Sequence, residues 1–128
     1  KGEGTIAEPM FALRLYGDAV DFGVSLEVSF IERKKDEESL QKQHMVLTLP
    51  ITQPVYYFAQ KNGESQRVEG TEKNRHDLLQ AVAEGAVRKV LVKYDVSLVE
   101  ESSLENILDQ LQEALVALEP YYLATRQV

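Results

Sequence analysis

The segment that most constrains the fold runs from Ser102 to Glu119, near the end of the sequence. Its large apolar residues recur at spacings of three and four, which places them on one side of an α-helix. Polar residues occupy the opposite side, so the pattern predicts an amphipathic helix. Such a helix buries its apolar side only against another layer, which the earlier residues must provide. The apolar positions are Leu104, Ile107, Leu108, Leu111, Leu115 and Leu118.

Both ends of this helix carry recognisable signals. Ser102, followed three residues later by Glu105, matches a capping box, in which each side chain satisfies a free backbone N–H group. Pro120 disfavours helical geometry at Glu119, so we expect the regular helix to end there. Residues 121–125 are compatible with one further turn.

Most of the preceding sequence has the two-residue period of β-strands. Apolar and polar side chains alternate over residues 11–16 and 22–31, and Gly17 and Asp18 between them predict an antiparallel hairpin. The charged segment 32–43 is compatible with an extended loop or with a short helix. Asn74 is a candidate cap for a short helix that ends near Gly85. Further strands are predicted at residues 44–51, 55–60, 64–69 and 88–98, with Asn62-Gly63 as a turn.

This order of elements predicts an α+β domain. We expect an antiparallel or mixed sheet of about five strands, a short helix, and a long C-terminal amphipathic helix packed on one face. The chain has 128 residues, 44% of them hydrophobic, enough for one domain with a core. Residues 1–9 lack periodicity and predict a flexible lead-in, followed by a single domain over residues 10–128. Because the sequence begins with Lys1, we expect a processed chain or part of a larger protein.

The composition disfavours several functional classes. The net charge of −7 opposes nonspecific attraction to nucleic acid and to anionic membranes. The absence of cysteine excludes disulfides, thiolate metal ligands and a cysteine nucleophile, and it fits a cytoplasmic location. No apolar run is long enough to cross a bilayer, so we predict no membrane association.

One short motif suggests catalysis. Phe30-Ile31-Glu32-Arg33-Lys34 ends a predicted strand with Glu-x-Lys, and this resembles the last element of metal-dependent nucleases of the PD-(D/E)xK class. The resemblance implies that Glu32 and an upstream Asp18 or Asp21 hold a divalent metal, while Lys34 assists the attacking water. The proline of that motif is missing and an arginine occupies the middle position, so a solvated loop of ion pairs is the simpler interpretation.

Other catalytic and cofactor patterns are absent from the sequence. His44 and His76 do not form an HxxxH or HExxH pair, and there is no GxSxG elbow or glycine-rich phosphate loop. We therefore predict no metal site and no cofactor, and we favour a protein that is not an enzyme. The catalytic alternative consists of Asp21, Glu32 and Lys34.

Four tyrosines are candidate binding residues. Tyr56 and Tyr57 are consecutive in a predicted strand and must point to opposite faces of the sheet. Tyr121 and Tyr122 follow the predicted end of the long helix. A tyrosine ring buries apolar area while its hydroxyl stays hydrated, which suits an interface or the margin of a core. The core margin is the simpler interpretation, and a partner-binding patch is the alternative.

Four segments carry a family resemblance, namely DFGVSLEVSF, LPITQPVYYFAQ, HDLLQAVAEGAVRKVLVKYDVSL and LENILDQLQEALVALEPYY. In pattern and order, the chain from Phe22 onward resembles the C-terminal half of the YktB-like family of uncharacterised bacterial proteins. The resemblance implies a similar fold and a bacterial cytoplasmic origin. It implies no activity and no site residues.

The leading functional hypothesis is a small acidic domain that acts by binding, either to another protein or to copies of itself. No catalytic set converges in the sequence, and some predicted strands carry apolar residues on both faces, such as Val46 and Leu91. The alternative is a metal-dependent hydrolase that uses Glu32 and Lys34.

Overall fold

The computed structural model describes residues 8–17, 22–31, 37–98 and 103–126. Within these residues the chain forms one sheet and three α-helices, and it confirms the predicted α+β class. A 3₁₀ helix, Met45–Thr48, follows the first α-helix directly. The elements are β1 (Glu8–Gly17), β2 (Phe22–Ile31), α1 (Glu37–His44), β3 (Tyr56–Lys61), β4 (Glu64–Glu69), α2 (Glu72–Ala83), β5 (Val87–Ser97) and α3 (Leu104–Arg126).

The sheet is antiparallel and has the order β1-β2-β5-β3-β4. β1 and β2 form the predicted hairpin, with a register that runs without interruption from Glu8 opposite Ile31 to Gly17 opposite Phe22. β3 and β4 form a second hairpin through the predicted Asn62-Gly63 turn, where φ is 53° and 84°. α2 then carries the chain from the edge strand β4 past β3 to β5, which inserts between the two hairpins.

One face of the sheet forms the core with the helices. Val28 of β2, Val92 of β5 and Tyr57 of β3 lie side by side across the sheet and are buried. α3 contacts β5, β2 and β1, and its Ala114 and Leu118 are fully buried in the same cluster. The prediction that the C-terminal helix packs on one face is therefore confirmed.

The C-terminal end of α3 lies beyond the end predicted at Glu119 and includes the further turn that the sequence allowed over residues 121–125. The helix continues through Pro120 and ends at Arg126. Proline removes one backbone donor from the helix interior, which is a local penalty. Tyr121 and Thr125 in the next turn are buried, so packing of this turn against the core outweighs the local preference.

The buried side of α3 also differs in part from the predicted stripe. Leu104, Leu108 and Leu115 are exposed, whereas Leu118 is buried as expected. The helix carries apolar residues around more than half of its circumference, and only one side can meet the sheet. The buried positions among the described residues of α3 are Ala114, Leu118, Tyr121 and Thr125.

The strand predicted at residues 44–51 is wrong. His44 ends α1, and Met45–Thr48 is a 3₁₀ helix. Val46 and Leu47 are consecutive and both are buried, whereas neighbouring residues of a strand point to opposite faces. The alternating apolar residues of this segment therefore lie in a compact helical turn and not in a strand. For the charged segment 32–43 the sequence allowed an extended loop or a short helix. The structure shows a helix from Glu37 onward.

The end of α1 completes the hydrogen bonding of β5. The pairing of β2 with β5 ends at Val28 opposite Val92, short of the start of β5. There the Val90 N–H group donates to Gln43 Oε1 at 3.1 Å, and His44 Nε2 lies 2.6 Å from the Arg88 carbonyl oxygen. Because a carbonyl oxygen only accepts, His44 Nε2 carries a proton in this contact. His44 thus has a structural role.

The cap of α2 is Thr71 rather than the predicted Asn74. The Thr71 hydroxyl accepts a hydrogen bond from the Asn74 N–H group at 3.2 Å. Glu72, the first helical residue, accepts from the Ile51 N–H group at 2.8 Å and pairs with Arg75 at 2.7 Å. The hydrogen bond from Arg75, followed by that from Ile51, lowers the pKa of Glu72 to about 2. These contacts attach the loop before β3 to the start of α2.

Candidate functional site

The predicted catalytic residues Asp21, Glu32 and Lys34 lie outside the described residues, as does Asp18. The nuclease hypothesis therefore stays a prediction, to be tested by magnesium- or manganese-dependent cleavage and its loss in Glu32→Ala. Over residues 8–17, 22–31, 37–98 and 103–126, no group of three or more His, Cys, Asp or Glu side chains is placed to hold a metal ion.

The four candidate tyrosines do not form one surface. Tyr56 and Tyr57 point to opposite faces of the sheet, as predicted. Tyr57 and Tyr121 are buried in the core cluster, and Tyr122 stacks on Phe11 of β1 with ring centroids 4.9 Å apart. Tyr56 lies on the face away from α3. A role of these tyrosines in binding stays a prediction, and direct contact with a partner by Tyr57 would require the core to open.

The two core tyrosines differ in whether their hydroxyl groups form a hydrogen bond. We therefore expect replacement by phenylalanine to change the free energy of unfolding differently at the two positions. Among the described residues the buried Tyr57 hydroxyl has no hydrogen-bond partner, whereas the Tyr121 hydroxyl donates to the Pro50 carbonyl at 2.7 Å. Burial raises the pKa of both hydroxyls, so both are neutral at pH 7. We expect Tyr57→Phe to leave the free energy of unfolding unchanged or higher, and Tyr121→Phe to lower it by about 1 kcal/mol.

Urea denaturation followed by circular dichroism measures both changes. A larger loss in Tyr57→Phe than in Tyr121→Phe would show that the Tyr57 hydroxyl has a partner after all.

The sheet face away from α3 carries a buried carboxylate. Glu27 of β2 lies between Ala12 and Lys93 in the sheet register, and it is 1% exposed. Its Oε1 atom is 3.1 Å from Arg14 Nε and 3.5 Å from Lys93 Nζ. Its Oε2 atom has no hydrogen-bond partner in the described part of the chain. Two cations therefore neutralise an acid that water scarcely reaches.

A second group of polar contacts adjoins this carboxylate across β5. The Tyr56 hydroxyl donates to Asp95 Oδ1 at 2.6 Å, and the Arg67 guanidinium lies 3.8 Å from the centre of the Tyr56 ring. Arg67 also pairs with Asp95 at 3.3 Å and with Glu69 at 2.6 Å. Burial, followed by the hydrogen bond to Asp95, raises the pKa of Tyr56. The charges of this face are matched mainly by one another, which is typical of a structural network.

The depression beside this network is small. It encloses about 140 Å³, whereas ligand pockets typically enclose roughly 300 to 1,000 Å³. The described geometry of this face therefore offers little room for a substrate. Its lining residues are Ser29, Gln43, Phe58, Gln60, Ser65, Lys89 and Leu91.

The second candidate surface is apolar and lies at the β1 edge. β1 is one of the two outer strands of the described sheet, and β4 is the other. Leu13 and Leu15 are on the helix-side face of β1, opposite Leu26 and Val24 of β2, yet they are 59% and 82% exposed. The neighbouring Phe22 is also exposed.

Exposed leucines of α3 lie on the side of the helix that faces this edge. Leu108, Leu115 and Tyr122 are spaced by seven residues, so they share one side of the helix. Tyr122 stacks on Phe11 of β1, which shows that this side faces the edge strand. Leu108 and Leu115 remain 55% and 43% exposed. We call this surface the apolar edge; its residues are Leu13, Leu15, Phe22, Leu104, Leu108 and Leu115.

Comparison with protein-family models, with curated proteins and with solved structures finds no match for this chain. The resemblance to the YktB-like family therefore stays a hypothesis. Among the helices of the described residues, none combines the length and the apolar character needed to cross a membrane.

Proposed function

We propose that this domain acts by binding a protein through its apolar edge. The observation that carries the proposal is Leu15, which is 82% exposed in an outer strand and is flanked by the exposed Leu13. Contiguous exposed apolar surface of this kind marks protein interaction sites in soluble domains. An outer strand also presents unpaired N–H and C=O groups, which an added strand satisfies.

The charged sheet face is the weaker candidate for an interface. Glu27, Lys93, Tyr56 and Asp95 already make ion pairs and hydrogen bonds within the domain. A partner would have to replace these contacts, and the centres of protein interfaces are depleted in charged residues. Within the described residues, the side chains of the apolar edge make no hydrogen bonds or ion pairs that a partner would have to replace.

The overall charge supports a protein partner over nucleic acid. A net charge of −7 repels phosphate backbones, whereas an apolar contact is less sensitive to it. A cytoplasmic location is part of the proposal, and the absence of cysteine supports it.

Affinity capture with matched variants tests the proposed surface. We expect the tagged wild type to retain a protein partner in a stoichiometric amount. An untagged copy of this chain, added to the sample, counts as such a partner. The double variant Leu15→Lys/Leu108→Lys should retain at least about tenfold less of the partner, because binding would bury two charges in an apolar contact. Val116→Lys is the control, since Val116 is exposed on α3 but lies away from the side that carries Leu108 and Tyr122. Equal retention by all three proteins, each folded by circular dichroism, would reject the apolar edge as the interface.

A further inference from the structure

The outer side of β1 determines the shape of any segment that can extend the sheet there. Its backbone groups are spaced for a ladder of hydrogen bonds, so the occupant must supply an extended strand. The register of β1 against β2 has no bulge over its length. Residues 10–16, MFALRLY, contain no lysine, no proline and no glycine. Between Met10 and Tyr16 the edge therefore lacks the lysine, proline and bulge that commonly prevent strand pairing; proline occurs in β1 only at Pro9, near its start.

We infer that the occupant is a second copy of this chain, with the β1 strands of the two copies paired antiparallel around a two-fold axis. This inference rests on the proposed function, because it takes the apolar edge as the interface. A second copy supplies such a strand itself, and the charge distribution of this segment does not oppose it. The chain carries a net charge of −7, but the only charged residue in 10–16 is Arg14, so two copies meet here without bringing acidic residues of this segment together.

The charges and the shape of the edge also select the register. Pairing centred on Arg14 would place two guanidinium groups opposite each other, which is unfavourable. Pairing centred on Ala12 would place Leu15 opposite Pro9 of the second copy, so the hydrogen bond that proline cannot donate is lost within the apolar stretch. Pairing centred on Leu13 moves Pro9 opposite Gly17, at the end of the strand. Pairing centred on Leu13 places Leu13 opposite itself and Leu15 opposite Phe11 of the second copy. Arg14 then lies opposite Ala12 of the second copy, with no like charge facing it.

The same symmetry brings the exposed sides of the two α3 helices together. Leu108 and Leu115 lie on the side of α3 that faces β1, as the stacking of Tyr122 on Phe11 shows. When the sheet continues through the axis into the second copy, these leucines face their counterparts above it. One two-fold contact therefore covers both the strand part and the helix part of the apolar edge.

Charge exchange at position 13 tests the dimer and its register together. We expect light scattering to show a concentration-dependent dimer for the wild type and for the control Val116→Lys. Leu13→Lys and Leu13→Glu each place like charges opposite each other, so each should weaken dimerisation about tenfold or more. An equimolar mixture of the two variants should recover association as one-to-one heterodimers, because opposite charges then meet at the axis.

A cysteine variant provides an independent measurement of the register. The chain has no natural cysteine, so Leu13→Cys introduces its only thiol. Residues directly opposite each other in an antiparallel pair have Cα atoms about 4.5 to 5.5 Å apart, within the range that a disulfide spans. We expect oxidation to give a cross-linked dimer of Leu13→Cys but not of the α3 control Leu123→Cys.

Two results would overturn the inference. One is a wild type that stays monomeric at the highest soluble concentration. The other is a dimer that both Leu13 variants leave intact. Neither result alone rejects the proposed function, which fails separately if affinity capture shows equal retention by the wild type and by Leu15→Lys/Leu108→Lys.

Discussion

Replacement of Leu118 by alanine is expected to lower the free energy of unfolding by about 2 to 5 kcal/mol. Leu118 is fully buried where α3 meets the sheet. The shorter side chain leaves a cavity in a close-packed layer, and the lost contacts add to the lost hydrophobic burial. The size of the loss thus measures how tightly α3 is held on the sheet.

Leu123→Ala is the matched control for this experiment. It is the same substitution in the same helix, at an exposed position outside the apolar edge, and we expect a change of about 0.5 kcal/mol. Urea denaturation followed by circular dichroism gives both values. Similar losses at the two positions would mean that α3 does not pack through its Leu118 side.

The second large effect is expected at Glu27. Glu27→Gln should lower the free energy of unfolding by about 3 kcal/mol. The carboxylate is 1% exposed and pairs with Arg14 and with the largely buried Lys93. A neutral amide leaves the Lys93 ammonium without its counter-charge in a poorly hydrated site, and this is the main source of the loss.

Two further variants isolate this cause. Glu69→Gln removes the same charge from a half-exposed pair with Arg67, and we expect a much smaller loss, because water screens an exposed ion pair. The double variant Glu27→Met/Lys93→Met removes both charges and should recover much of the stability, since apolar side chains often replace a buried ion pair without cost. A near-neutral Glu27→Gln would show that the two cations are hydrated and that the network does not stabilise the fold.

Local sequence patterns predicted most of the elements correctly. The alternation in residues 22–31 and the Asn62-Gly63 turn each reflect short-range geometry, because strand faces repeat every two residues and this turn needs positive φ. The same geometry placed Tyr56 and Tyr57 on opposite faces. The leucine spacing before Pro120 likewise identified α3, since helical periodicity is a property of the segment itself.

The failed predictions occur where packing competes with local preference. Pro120 predicted the end of a helix, but the burial of Tyr121 and Thr125 continues it. Val46 and Leu47 lie in a segment that alternates like a strand, but they form a 3₁₀ helix that fills the core.

The candidate surfaces were not predicted from the sequence. Glu27 occupies an alternate polar position of β2, which predicts exposure to solvent, and no sequence signal indicates the Lys93 that pairs with it from β5. Leu108 and Leu115 have the same spacing as buried residues of α3, so their exposure has no sequence signature either. The burial of Glu27 and the exposure of these leucines both depend on which segment, distant in the sequence, lies beside them.

The sequence alone determined the α+β class, the two hairpins and an amphipathic C-terminal helix, because each depends on residues a few positions apart. Only the tertiary structure decided that β5 inserts between β2 and β3, that Glu27 is buried beside Lys93, and that the leucine side of α3 faces the open β1 edge. These outcomes depend on contacts between residues far apart in the chain, such as Leu26 opposite Tyr94. Periodicity shows that a surface is apolar, whereas long-range packing selects which apolar surface is buried and which is left for a partner.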